Sequence, residues 1–169
     1  MRIDYFSHMP DLITRLRHIT REQKQFGLNP ALRVLIEARV SQLNACVYCL
    51  HLHFREALRQ GESQCRLDSL TVWHESPFFD AREKAALAWA EALTLLPDTR
   101  AEESVFAALK FHFSDLEIVE LSLAISLANF WNRMASGFRR EPEFETTSKA
   151  NGLACKSTAE SPPKPTLTT

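Results

Sequence analysis

Apolar residues along this chain recur at the three-to-four spacing of helices, and no stretch shows a sustained strand-like alternation. Leu12, Ile13, Leu16 and Ile19 form one apolar face behind Pro10 and Asp11, and Gly27 is expected to stop that helix. Asn29 followed by Pro30 reads as an N-cap with proline at the first helical position, opening a helix that runs towards Asn44. Residues 46–59 are expected to form the next helix, closed by Gly61, and Trp73, His74, Ser76 and Pro77 read as loop. Three capping-box patterns follow: Asp80-Ala-Arg-Glu83, Thr99-Arg-Ala-Glu102 and Ser114-Asp-Leu-Glu117. Each sets a cap three residues ahead of a glutamate, the Asp80 version being looser because the strict box uses Ser or Thr. Apolar helical patterns come after them, over residues 85–95, 105–111 and 116–138, with Pro97 between the first two.

The pattern predicts an all-α domain over residues 1–140. Only four glycines among 169 residues agree with that, and 45% hydrophobic with 24% charged residues suits one compact domain. From 141 to 169 the chain turns rich in Ser, Thr, Pro and Lys, and a mobile tail is expected there, with Cys155 an incidental thiol within it. The run 116–131 is apolar on nearly every face, with Glu117 and Glu120 near its start. Such a helix wants burial all round, and a domain of about 140 residues has limited interior, so self-association is expected.

Charge and hydropathy narrow the setting. Net charge is −1 with acids and bases interspersed, which favours neither nucleic acid nor an anionic membrane as partner. The most apolar run, residues 121–131, is about half of what spans a bilayer. Residues 1–11 carry Arg2, Asp4 and His8 without the apolar centre of a secretory leader, so a cytoplasmic setting is expected. Thiols there are normally reduced, and a Cys-x-x-Cys pair points to redox chemistry or metal binding rather than to a disulfide framework.

Cys46 and Cys49 lie one turn apart at an expected helix start, close enough to form a disulfide after modest adjustment. Free N–H groups and the macrodipole at a helix N-terminus favour thiolate over thiol. His53, four residues past Cys49, shares its face, and an imidazole there can take up the thiol proton near neutral pH. A zinc site completed by His53 or His51, with Cys65 or His74 as fourth ligand, is an alternative, weakened by the lack of a second close-spaced pair. So is a pair of cysteines serving only as small apolar residues. His51 faces elsewhere and reads as surface or packing, as do His74 and His112. Tyr48 suits either core or pocket lining. Arg133 reads as capping carbonyls or making a structural ion pair.

The order Ser41, Asn44, Cys46, Cys49, His53 resembles the Ser-x-x-Asn-x-Cys-x-x-Cys-x-x-x-His pattern of the AhpD-like alkylhydroperoxidase and carboxymuconolactone decarboxylase-like family. Flanking segments are similar too: Leu28-Asn-Pro-Ala-Leu-Arg33, Arg55-Glu-Ala, Glu83-Lys-Ala-Ala-Leu-Ala-Trp89, and Asn129-Phe-Trp-Asn132-Arg133 near the end of a match over residues 1–138. The resemblance implies an AhpD-like helical fold assembled as a homo-trimer or hexamer, with the thiol site near subunit interfaces. It implies that Cys49 attacks a hydroperoxide and becomes a sulfenic acid, that Cys46 resolves it as a disulfide, and that a dithiol donor reduces the pair. The donor would be a lipoyl protein, a thioredoxin-like protein or a small thiol, with no metal, haem or flavin cofactor. Decarboxylase relatives lack the cysteine pair. A dithiol-disulfide oxidoreductase or stress-response thiol protein without strong peroxidase activity is the nearest alternative, and an oligomeric scaffold with vestigial cysteines is another. One position departs from the pattern: the relay glutamate expected twelve residues before the first cysteine is Val34 here. Glu37 lies about one turn on, and either takes over the relay to His53 or is a solvent-facing charge.

Overall fold

The computed structural model describes residues 1–142, all of it helices and connecting turns. The tail expected over residues 141–169 falls, from residue 143 onward, outside the described residues, and so does Cys155. Two short N-terminal helices come first, α1 (Tyr5–His8) and then α2 (Pro10–Gln23). Helix α3 (Pro30–Leu43) begins where the Asn29-Pro30 pair predicts, with the Asn29 side chain accepting from the N–H groups of Ala31 and Leu32. Helix α4 (Val47–Arg59) carries the thiol motif. After α5 (Gln64–Ser69) and a single 3-10 turn (Leu70–Val72) come α6 (Ala81–Thr94), α7 (Leu96–Thr99), α8 (Glu103–His112) and the long α9 (Asp115–Gly137).

Helix α3 is the axis of the molecule. It packs against α4, α6 and α9, and Val34, Leu35, Ile36, Ala38 and Val40 are all buried. A helix enclosed on this many sides shows little one-sided pattern in its sequence, because no face is left for polar residues. Each large aliphatic removed from water here stabilises the fold by roughly 1.5–3 kcal/mol. Helix α6 approaches α3 closely because Ala85, Ala86, Ala90 and Ala92 keep its surface low.

Two of the three expected capping boxes form. Asp80 and Glu83 satisfy each other's backbone N–H groups at the start of α6, and Ser114 and Glu117 do the same for α9. The Thr99 box does not form. Thr99 closes α7 instead, its hydroxyl donating to the Ala92 carbonyl at 2.6 Å, and α8 starts at Glu103 without a side-chain cap. Pro97 is the reason: it suits the first turn of a helix, and so builds the short α7 where a simple break is expected. Helices α1 and α5 are too short for a periodicity argument to mark them. The apolar face expected on α2 is only partly buried. Ile13 is enclosed, while Leu12 and Ile19 remain exposed because no other element among the described residues lies over them. Leu116 and Val119 on α9 are likewise 68% and 64% exposed.

Candidate functional site

The cysteines sit at the corner between α3 and α4, and a polar clamp fixes that corner. The Asn44 amide donates to the side-chain carbonyls of Asn129 (2.9 Å) and Asn132 (3.0 Å) on α9. Asn132, fully buried, donates in turn to the Ser41 hydroxyl at 3.1 Å, and that hydroxyl donates to the Glu37 carbonyl at 2.8 Å. The Asn129 amide also donates to Thr94 on α6 (3.1 Å), so three helices meet through side-chain amides. Arg133 donates to the backbone and side-chain carbonyls of Asn129 inside α9, so it braces the clamp rather than capping the last carbonyls of the helix. Ser41 and Asn44 of the cysteine motif, and Asn129 and Asn132 of the closing motif, are thus one structural device. They leave room for Ala45 to take a left-handed turn (φ 51°) that points the chain into α4.

Cys46 is the N-cap of α4, its Sγ accepting from the Cys49 N–H at 3.3 Å, and the two sulfurs are joined as a disulfide with Cα atoms 5.4 Å apart. Both are nearly enclosed, at 2% and 4% exposure. Cys49 reaches a cavity of about 560 Å³ between α1, α2, α4 and α9, whose lining also includes His53, Glu37, Tyr48 and Trp131. Cys46 does not line that cavity but an adjoining smaller cleft of about 300 Å³, formed with Ala45, Val47, Ser136 and Arg139.

Glu37 is no solvent-facing charge. It is 4% exposed, and its Oε2 lies 3.2 Å from His53 Nδ1, within hydrogen-bond range but off the line of the ring N–H. Val34, at the expected relay position, is enclosed in the apolar core, and its side chain has no proton to relay. Burial alone would raise the Glu37 carboxyl's pKa. The contact with His53 and the charges of His53, Lys24 and Arg33 outweigh that and hold it below the ordinary carboxylate range. Lys24 Nζ donates to both Glu56 oxygens (3.0 and 2.9 Å) and stands 3.7 Å from Glu37. Arg33 lies 3.9 Å from Glu37 and 3.7 Å from Glu56.

The zinc set weighed from the sequence is not assembled. Among the described residues, the only three potential ligands brought together are Glu37, His53 and Glu56, without a cysteine, and the Lys24 ammonium already stands between the two carboxylates. The structure therefore brings Cys46, Cys49, His53 and Glu37 to one place, and leaves His74 stacked on Trp73 elsewhere. The sequence reading did not find Lys24 or Glu56. Arg33 and Glu56 fell within flanking matches without a role, and Arg33, one helical turn before Glu37, was a usable signal. Nothing local could have placed Lys24.

Residues 8–92 match the Carboxymuconolactone decarboxylase family, and the chain belongs to it. It is 33% identical over 134 residues to the uncharacterized protein YdfG of Bacillus subtilis, covering 79% of this chain and 91% of that one. The crystal structure of ATU0492 from Agrobacterium tumefaciens, of unknown function and described as a candidate antioxidant defence protein AhpD, superposes with a TM-score of 0.83. It is 35% identical, over 85% of this chain and 99% of that one. An uncharacterized peroxidase-related protein of Ralstonia eutropha with an alkylhydroperoxidase AhpD core shares the fold at a TM-score of 0.72, with 23% identity over 82% of this chain and 74% of that one. The AhpD-like helical fold expected from the sequence is the fold observed. No helix among the described residues is long and apolar enough to cross a membrane.

The clamp generates a stability prediction. Asn132→Ala removes two hydrogen bonds of a fully buried side chain and opens a small void, so it should lower unfolding free energy by about 2–3 kcal/mol in urea titrations. A loss below about 0.5 kcal/mol would show that the corner is held by something else.

Proposed function

We propose that this protein is a thiol-dependent hydroperoxide reductase in which Cys49 meets the peroxide and Cys46 resolves the oxidised sulfur. The observation that carries this reading is the arrangement of Cys49, His53 and Glu37 around one largely apolar cavity. In the reduced protein His53 takes the Cys49 proton, and the Glu37 carboxylate, 3.2 Å from Nδ1, stabilises the imidazolium that results. The Cys49 thiolate attacks the terminal peroxide oxygen, the O–O bond breaks, and the alkoxide leaves as an alcohol with the proton from His53. Cys49 is now a sulfenic acid. The Cys46 sulfur then attacks the Cys49 sulfur and the S–O bond breaks. The hydroxyl leaves as water with the proton of the Cys46 thiol, giving the disulfide present here, and a dithiol donor reduces that bond while becoming a disulfide itself.

Burial of both sulfurs argues for small substrates. A folded protein cannot bring its own disulfide to sulfurs this enclosed, which speaks against a general dithiol-disulfide oxidoreductase. The same constraint favours a lipoyl arm or a free small dithiol over a thioredoxin-like surface as donor. A cytoplasmic setting, where such dithiols stay reduced, belongs to this reading.

Three tests follow from it. Cys49→Ser should abolish peroxide consumption, while Cys46→Ser should still form a trappable sulfenic acid; a sulfenic acid trapped on Cys46 in Cys49→Ser protein would reverse the roles. Glu37→Gln should lower the peroxidase rate by roughly 10²-fold, the low end for general acid–base assistance, and His53→Gln by at least as much. Because the Glu37 carboxyl is held below its ordinary range, it is ionised from weakly acidic pH upward, so the deficit should be equally large at pH 6 and pH 8. A wild-type rate for Glu37→Gln across that range would remove Glu37 from the mechanism. Finally, the exposed Leu116 and Val119 of α9 fit contact with further copies of this chain, as a trimer or hexamer. Light scattering at micromolar concentration should show that assembly, and a monomer would overturn it.

A further inference from the structure

The cavity carries charges that the proposed proton transfer does not use. Its lining includes three cationic side chains, Arg17, Lys24 and Arg140, against one carboxylate, Glu37. Lys24 is committed to Glu56 and Glu37, and Glu37 is already answered by Lys24, Arg33 and His53. Arg17 and Arg140 are different. Among the described residues neither forms an ion pair, and both rest on ring faces instead. The Arg17 guanidinium carbon lies 5.8 Å from the centre of the Phe6 ring, and that of Arg140 lies 4.8 Å from Phe6 and 4.1 Å from Tyr48. The two guanidiniums, from α2 and from the residues following α9, thus share one aromatic ring.

Stacking on Phe6 and Tyr48 holds the partly buried Arg140 guanidinium while leaving its in-plane N–H fork open, the geometry that receives a carboxylate with two parallel hydrogen bonds. Arg17, exposed and at the edge of stacking range, adds a second charge beside it. Leu52, Leu127, Ala128 and Trp131 supply an apolar body for the rest of a ligand. Trp131 is itself held in place, its indole N–H donating to Thr20 at 2.9 Å. A chamber with an apolar body and two guanidiniums that no carboxylate among the described residues answers suits an anionic ligand better than a neutral one, because nothing in a neutral ligand would use their charge.

We infer that the cavity selects an acidic amphiphile: an organic hydroperoxide that carries a carboxylate at the end remote from the peroxide, as a fatty-acid hydroperoxide does, with Arg17 and Arg140 as the residues that recognise the carboxylate. The peroxide half of this inference rests on the proposed reductase chemistry; the anion seat does not.

The test compares a hydroperoxy-octadecadienoic acid with its methyl ester, using dihydrolipoamide as donor. Loss of a charge-assisted bidentate contact should make kcat/KM for the acid about tenfold higher than for the ester. In the Arg17→Gln/Arg140→Gln double variant the ratio should fall to near one, and Arg140→Lys should restore part of it in an Arg17 background. Equal values for acid and ester in the wild-type protein, or an unchanged ratio in the double variant, would overturn the inference. Calorimetric titration with decanoate and with methyl decanoate separates this from the fate of the peroxidase reading. Tighter binding of decanoate that is lost in the double variant, in a protein that turns over no hydroperoxide, would uphold the anion seat and sink the reductase. Equal binding of the two would sink the anion seat whatever the turnover.

Discussion

Glu37 sits on the helix with the least access to water, where an ionised carboxylate without partners would be unstable by several kcal/mol. Its partners arrive from three elements: Lys24 at the end of α2, Arg33 one turn earlier on α3, and His53 from α4. Glu56 then balances the surplus, since it pairs with both Lys24 and Arg33. Two cations and two anions sum to zero while His53 is neutral. A proton taken up by His53 therefore becomes the one uncompensated charge of the cluster, placed beside Glu37 at the cavity that Cys49 lines. Removing the partners of Glu37 would leave its buried charge in the low dielectric, which ties the docking of α2 and α4 to the state of the site.

The same helix holds the site from its other side. Ser41 is one turn past Glu37 and donates to the Glu37 carbonyl, so the ionic cluster and the asparagine clamp share a single turn of α3. The clamp fixes where α4 begins, and the cluster fixes where its middle lies, through His53 and Glu56. Two attachments on one short helix leave it little freedom to rotate. That rigidity matters because a thiol, a base and a carboxylate act together only at hydrogen-bond distances.

What the sequence made legible follows from how local each signal is. Asn29-Pro30, the Asp80 and Ser114 boxes and the cysteine spacing are read within four residues, and all four appear in the structure. The Thr99 box matches the same rule but fails, because Pro97 starts a competing helical turn that consumes the Thr99 hydroxyl. Glu37 was ambiguous because helical phase says which face a residue occupies and not what covers that face. Its cover is α2, through Lys24, and a contact between residues 24 and 37 across a turn leaves no periodic trace. Arg17, Arg140, Phe6 and Trp131 were invisible as a group for the same reason. They come from opposite ends of the described residues, and only the docking of α2 onto α9, with α1 against α2, brings them to one cavity.

The two sulfurs, one turn apart, are unequal in ways that set the order of events in the proposed cycle. Cys46 receives the Cys49 N–H at the helix N-terminus, an arrangement that stabilises negative charge on its sulfur. A thiolate stabilised in this way is the better leaving group when a disulfide is attacked. The donor thiol is therefore directed to the other sulfur, Cys49, and Cys49 is the one that lines the larger cavity. In the proposed cycle peroxide and donor would then meet the same atom in the same chamber. Two ligands cannot occupy one sulfur's line of approach at once, so the alcohol has to leave before the donor enters. The arrangement imposes alternation on the cycle through space and leaving-group chemistry, without requiring any helix to move.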